Sequence, residues 1–310
     1  QNNLCLAGGV ALNCVANGAL IKKKIFSNIW IQPASGDAGG AIGAALSIYY
    51  SMLNNPRIIS EKDKMSGSYL GPEYRHDEIL KSLKELKANY KEYDIGLLYE
   101  KVAGFLSVGK AVGWMQGKME FGPRALGNRS IIADPRSPKM QKILNLKVKY
   151  RESFRPFAPS ILFEDLNNWF DLKICSPYML LVGNLIKEKK IKMTKEESKL
   201  FGIDKLNIER STIPAVTHVD YSSRIQTVHK ETNPKYHQLI TNFKKITGCP
   251  ILVNTSFNIR GEPIVQSVED AFKCFMGTDL DILVIDNFVL KKENQNQNQF
   301  NDYKESFSLD

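Results

Sequence analysis

Short apolar runs separated by glycine-rich turns set the rhythm of this 310-residue chain. Residues 4–7 and 29–32 read as strands. Each runs into a glycine turn (Gly8-Gly9, then Pro33 to Gly36) and a helix, over 10–21 and 38–52. Asn54-Asn55-Pro56 closes this unit, and residues 56–77, with Gly67, Gly71 and Pro72, read as a linker. Leu98, Val102, Phe105 and Leu106 recur at helical spacing and predict an amphipathic helix over 96–109, stopped by Gly109. A strand over 111–115 and a helix over 137–150 follow, and Pro156 forces Arg155 out of the helical region. Residues 187–208 are polar and lysine-rich and read as a solvated excursion. Alternation from Ala215 to Val219 predicts a strand with His218 on the face opposite Thr217 and Val219. Tyr236, Leu239, Ile240, Phe243 and Ile246 share one face of a helix over 235–246, ended by Gly248 and Pro250. Residues 251–253 read as a buried strand, and Ser267 caps a helix to Met276 with Asp270 completing the capping box. Asp286-Asn287 joins strands over 282–285 and 288–290 in a hairpin. The Asn/Gln-rich tail from Glu293 reads as disordered.

Composition changes this picture little. Hydrophobic and charged contents of 43% and 24% are ordinary for a soluble globular chain. No run of about 18 apolar residues predicts a membrane span. The net charge of +9 has two readings. Lysines on solvated helices at 81–91 and 187–199 can account for it, or the protein binds anions such as nucleotides or nucleic acid. Five cysteines without a CxxC pair suggest reduced, structural thiols and a cytoplasmic protein. The apolar run beginning almost at Gln1 reads as a chain cut within a domain, because its first strand lacks sheet partners.

The densest chemistry lies at residues 113–136, GWMQGKMEFGPRALGNRSIIADPR. Lys118, Arg124 and Arg129 sit on a loop stiffened by glycine and proline, joined downstream by Lys147, Arg151 and Arg155. Guanidinium groups fixed in this way grip phosphate or carboxylate in a set pose. Four further constellations accompany the loop. The Gly8-Gly9 turn leading to Asn13 offers backbone N–H groups to a phosphate, or is simply a tight turn. Asp37, in SGDAGG, suits a metal or a ribose, or caps the helix that follows. His218 with Asp220, Arg224 and Gln226 suits acid–base work, or is structural. The NTSFNIR segment, with Asn254, Ser256, Asn258 and Arg260, forms a polar cradle at a strand end, or a set of Asx and Ser turns.

Together these segments resemble the nodulation-type (NodU/CmcH-type) O-carbamoyltransferases. LAGGVALNCVANG, PASGDAGGAIGAAL, GKMEFGPRALGNRSIIADPR, FRPFAPSIL, PAVTHVDYSSRIQTV and PILVNTSFNIRGEPIV run in family order across about residues 4–290. The resemblance implies an α/β protein. Residues 1–66 would be the C-terminal piece of an actin-like ATPase domain, similar to the tRNA threonylcarbamoylation ATPase, plus a linker. Residues 67–292 would be a YrdC-like domain with a mixed twisted sheet, and 293–310 a tail. It also implies that the YrdC-like domain makes carbamoyl-adenylate from carbamoyl phosphate and Mg²⁺-bound ATP. The actin-like domain would then pass the carbamoyl group to a hydroxyl on a sugar, glycan or natural product.

On this reading Gly8, Gly9 and Asn13 hold the adenylate, and Asp37 is a ligand of an iron-type divalent metal. Lys118, Arg124, Arg129 and His218 carry the chemistry, while Arg151, Arg155, Arg224, Asn254, Ser256 and Arg260 bind substrate and nucleotide. The chain departs from the family pattern in one respect. Its histidines are His76, His218, His229 and His237, none of them in residues 1–66, whereas the family's metal is held by two histidines and an aspartate. The metal site is therefore expected to be incomplete. Other readings are a nucleic-acid-binding or tRNA-modification-related YrdC-like module, disfavoured by the lack of a regular basic helix, and hydrogenase-maturation-type carbamoyl transfer.

Overall fold

The computed structural model describes residues 1–60, 63–206 and 208–296, together with Tyr303 and Phe307. Its first unit pairs β1 (Asn3–Leu6) with β2 (Asn28–Ile31) in parallel, Leu4 opposite Ile29. The chain crosses between them through helix Cys14–Lys23, and helix Asp37–Ser47 follows β2. The helix expected from residue 10 begins later. Gly9–Leu12 forms a 3-10 turn, and the Asn13 side chain caps the α-helix by accepting from the Ala16 N–H at 3.1 Å.

The larger unit is built on nine strands: β3 (Lys91–Glu92), β4 (Val112–Met115), β5 (Arg129–Ala133), β6 (Ala158–Leu162), β7 (Leu181–Asn184), β8 (Ser222–Val228), β9 (Ile251–Ser256), β10 (Ile282–Ile285) and β11 (Phe288–Lys291). They lie in the order β3-β11-β10-β4-β5-β9-β6-β8-β7. The β4/β10 and β6/β8 pairs are parallel and the others antiparallel, so the sheet is mixed and the fold α/β. Every residue of β4, β5, β6 and β10 is buried, which requires cover on both faces. Helices Ile95–Ser107 and Pro234–Thr247 pack on each other, the second against β6 and β9. Helix Val268–Met276 lies on β4 and β10, beside His76–Glu85. Tyr236, Leu239, Ile240 and Phe243 are buried as their spacing predicts, each contributing roughly 1.5–3 kcal/mol, whereas Ile246, expected on the same face, is exposed at the helix end.

Three further expectations need correction. Residues 215–219 do not form a strand. Pro214 starts a 3-10 turn, Pro214–Val216, and the Thr217 hydroxyl donates back to the Ile213 carbonyl, so the strand begins only at Ser222. The helix expected over 137–150 is confined to Met140–Ile143 and a wider-wound turn, Leu144–Val148. The chain also does not lose structure at Glu293. Lys292–Asn294 is a 3-10 turn, and buried Gln295 exchanges hydrogen bonds with the Asn89 backbone at 2.9 and 2.7 Å. Except for Tyr303 and Phe307, residues 297–310 of the expected tail lie outside the described residues.

The two units meet where helix Cys14–Lys23 lies on β7. Buried Asn17 donates from Nδ2 to the Ala11 carbonyl in its own unit and to the Leu180 carbonyl in the other, at 2.9 and 3.2 Å. Gly18 permits the approach, because a Cβ there would stand 3.1 Å from the Val182 carbonyl oxygen.

Candidate active site

A cavity of about 490 Å³ opens along this seam. Arg124 reaches it from the β4–β5 loop, Arg151 and Arg155 from the segment before β6, and Arg224 from β8. His218 and Asp220 enter from the turn before β8, while Asn254, Thr255 and Ser256 close it at the end of β9. The N-terminal unit adds Cys14 and Val15, and Arg124 Nη2 approaches the Leu12 carbonyl at 3.5 Å. Residues distant in sequence thus meet at one place because β5, β9, β6 and β8 are neighbours in the sheet.

The electrostatics of this wall are one-sided. Against four guanidinium groups the lining offers one carboxylate, Asp220. Burial, with the Arg155 charge behind it, lowers the pKa of Arg151 to about 10. Burial and the Arg124 charge do the same for Arg224. Crowded cations with little compensation favour a polyanion ligand, which would relieve both the desolvation and the repulsion. Burial also pushes His218 below the ordinary histidine range, which favours its neutral form. Burial would raise Asp220, but hydrogen bonds from the Ser222 hydroxyl and N–H outweigh it and hold the carboxyl below its usual range.

A buried carboxylate shapes the loop that carries Arg124. Glu120 Oε1 accepts the N–H groups of Leu126, Asn128 and Arg129 at 2.6, 2.9 and 3.3 Å. The intervening chain therefore turns around it, with Pro123-Arg124-Ala125 projecting into the cavity. Beyond Arg151, Arg155 and Ser256 lies a second hollow of about 550 Å³, lined also by Lys149, Asn258, Arg260 and Glu262. Lys149 is 4% exposed, and its ammonium donates to the Ser256 carbonyl and Oγ and to the Asn258 carbonyl and Oδ1, at 2.6–3.1 Å. Burial first, then the Arg151 charge, lowers its pKa to about 7. Arg260 stands 3.6 Å from Glu152.

Of the residues picked from sequence, Arg124, Arg151, Arg155, His218, Arg224, Asn254 and Ser256 share the first cavity, and Arg260 lines the second. The rest lie outside both. Lys118 is exposed and contributes its carbonyl to Asn128 Nδ2. Arg129 is fully buried, and its guanidinium donates to the carbonyls of Gln116, Gly117, Asn128, Pro72 and Gln266, tying the loop ends together. It faces a separate hollow of about 120 Å³ with Glu73 and Lys235. Gly8 and Gly9 form an exposed turn, Gly8 at φ 89°, and Asn13 is occupied as a helix cap. Asp37 is exposed in the first turn of its helix. Sequence reasoning missed Lys149, taking the exposed Lys147 instead, and missed Glu120. Spacing alone could have found Lys149, two residues before Arg151. Nothing local marks Glu120.

The comparisons bear on this arrangement. A model described as the carbamoyltransferase C-terminus matches residues 103–292, and one described as the carbamoyltransferase N-terminus matches residues 1–46. The chain belongs to the carbamoyltransferase family. An uncharacterized protein of Synechocystis is 58% identical over 99% of this chain and 51% of its own length. Nodulation protein NolO of Bradyrhizobium diazoefficiens is 41% identical over 94% and 50%. The 3'-hydroxymethylcephem-O-carbamoyltransferase of Amycolatopsis lactamdurans is 31% identical over 86% and 44%. The chain thus spans about half the length of these curated relatives. The C-terminal model covers every arginine of the first cavity, and the N-terminal model covers Cys14 and Val15 on its opposite wall.

The metal that the resemblance implies does not fit the residues present. Among the described residues no group of three or more His, Cys, Asp or Glu side chains could hold an ion, around Asp37 or elsewhere. Among the described residues, no helix is long and apolar enough to cross a membrane.

Proposed function

We propose that this chain forms the adenylating part of an ATP-dependent O-carbamoyltransferase, with residues 67–292 as its YrdC-like domain and residues 1–66 as part of an actin-like domain. The observation that supports this most is the meeting of Arg124, Arg151, Arg155 and Arg224 around one cavity beside His218. Carbamoyl phosphate and ATP are both polyanions, and bringing them together requires cations that neither substrate supplies. Mg²⁺ enters as part of the ATP substrate.

The reaction balances in three steps. Water attacks carbamoyl phosphate, inorganic phosphate leaves, and carbamate remains; His218 takes the proton lost by the water. A carbamate oxygen then attacks the α-phosphorus of ATP, the bond to the bridging α–β oxygen breaks, and pyrophosphate departs. Charge grows on the equatorial and leaving oxygens during this displacement, where fixed guanidinium groups stabilise it more than they stabilise the separated substrates. Finally a hydroxyl of a sugar, glycan or natural product attacks the carbamoyl carbon. Its proton passes to a base and AMP leaves. In this reading the Gly8-Gly9 turn and Asn13 lie on the path towards the transfer step, and Lys118 and Arg129 act by holding the loop that carries Arg124.

Exchange of labelled pyrophosphate into ATP tests the reading. Exchange should require carbamoyl phosphate and vanish in Arg124→Ala. Exchange that ignores carbamoyl phosphate, or none from this chain or a full-length relative, would refute it.

A further inference from the structure

One wall of the second hollow, the loop carrying Asn258, Arg260 and Glu262, is held from outside by the C-terminal tail. Glu262 folds this loop on itself. Its Oε2 accepts the Ile259 N–H at 2.7 Å, and its carbonyl accepts Asn258 Nδ2 at 2.6 Å. Asn258 Oδ1 is thereby turned to the Lys149 ammonium and the Ser256 hydroxyl, each at 2.6 Å. The other Glu262 oxygen, Oε1, accepts the hydroxyl of Tyr303. Tyr303 is 8% exposed, although it lies beyond residue 292, where the carbamoyltransferase C-terminal model ends. Its ring lies on Gly277, at the end of helix Val268–Met276, where a Cβ would stand 2.3 Å from the ring. Phe307 packs edge-on against it, with ring centroids 5.5 Å apart. The Tyr150 hydroxyl donates to the Gly277 carbonyl at 2.9 Å, so the wall that carries Lys149 and Arg151 is tied to the same point. The Cys274 thiol is fully buried at this junction and hydrogen-bonds with Tyr303 and Glu262.

We propose that Tyr303 is a positioning residue that latches this loop, so that docking of the tail and binding of a polyanion in the second hollow favour each other. With Tyr303 in place, Glu262 keeps Asn258 against Lys149 and the hollow keeps its shape. With Tyr303 withdrawn, Glu262 loses a donor and the loop is free to open away from Lys149. A ligand bound across Lys149, Arg151 and Arg260 prefers the latched form, and by linkage it holds the tail down. Only a polyanion in the hollow is required, whether or not it is then adenylated.

Cys274 reports the latch, and Cys249, buried just after helix Pro234–Thr247, reports unfolding of the whole. Iodoacetamide labelling read by peptide mass spectrometry gives both rates in one sample. Tyr303→Phe keeps the ring and removes the hydroxyl. It should speed Cys274 labelling about tenfold, and Tyr303→Ala further, with Cys249 within about twofold of wild type. In Tyr303→Phe, where Cys274 is labelled by local opening, pyrophosphate at about ten times its calorimetric Kd should slow that labelling about tenfold. If Tyr303→Ala melts far below the wild type, Tyr303→Phe alone carries the test. Cys274 rates that ignore Tyr303, that rise only together with Cys249, or that pyrophosphate leaves unchanged overturn the inference. Pyrophosphate exchange into ATP is read separately: a working latch without exchange defeats the adenylation reading alone, and exchange without a latch defeats the latch alone.

Discussion

Replacing Glu120 with alanine should unfold the arginine loop before it affects anything else. Its Oε1 holds the Leu126 and Asn128 N–H groups at 2.6 and 2.9 Å and the Arg129 N–H more loosely at 3.3 Å. An alanine leaves two well-formed bonds and part of a third without an acceptor in a buried setting. At roughly 1–3 kcal/mol for each buried donor left unpaired, the gross loss is about 3–6 kcal/mol. Removing a buried carboxylate whose Oε2 has no partner returns part of this, so a net cost of roughly 2–4 kcal/mol is expected. Glu120→Gln keeps one carbonyl oxygen and should lose about half as much. Urea unfolding of the three proteins measures the stability, and pyrophosphate exchange at matched folded concentration measures the effect on Arg124. An alanine variant within about 0.5 kcal/mol of wild type, with unchanged exchange, would show that the loop does not depend on this carboxylate.

Other outcomes follow from neighbouring contacts. Arg129→Met strips buried carbonyls of their donor and should cost about 3–5 kcal/mol, with Arg129→Lys only a partial rescue because an ammonium cannot span five oxygens; thermal melts will read both. Gly127→Ala places a Cβ 2.3 Å from the Tyr236 ring at φ +108°, so a loss of at least about 2 kcal/mol is expected in the same melts. Lys149 titrates near pH 7 when folded and near 10.5 when unfolded. Between those values the unfolded chain binds a proton that the folded chain does not. Stability contributed through this group therefore rises with pH across the window, by up to about 1.4 kcal/mol per unit. Urea unfolding at pH 7 and pH 9 should show this rise in wild type relative to Lys149→Met, and parallel curves would refute it.

What the sequence disclosed follows the physics of each segment. Helix Pro234–Thr247 and strands β4, β9, β10 and β11 were readable because burial on one face or both leaves an unbroken apolar signature. The strands β5 to β8 were not. β5 opens with buried Arg129, β6 carries Pro159, and β8 holds Ser222, Ser223, Gln226 and Thr227 inside the protein. Pro159 is tolerated because it pairs only with Val253 of β9, and the β8 partnership starts one residue later, at Ser160. β8 lines the cavity with Ser222 and Arg224 and β6 with Ala158, so there the site interrupts the apolar pattern, whereas β9 lines it only with its polar end, Asn254 to Ser256, and keeps an apolar start. The arginines were legible as chemistry before they were legible as neighbours. Arg124, Arg151, Arg155 and Arg224 stood out by residue type, while only the sheet order separates that group from Lys118, which faces solvent, and Arg129, which is spent on carbonyls.

The most direct test of the central claim is a crystal structure with a non-hydrolysable ATP analogue, Mg²⁺ and phosphonoacetamide. The account predicts phosphate density between Arg124, Arg151, Arg155 and Arg224. Density for the polyphosphate at the Gly8-Gly9 turn or in the hollow beside Arg129, with the arginine cavity empty, would contradict it.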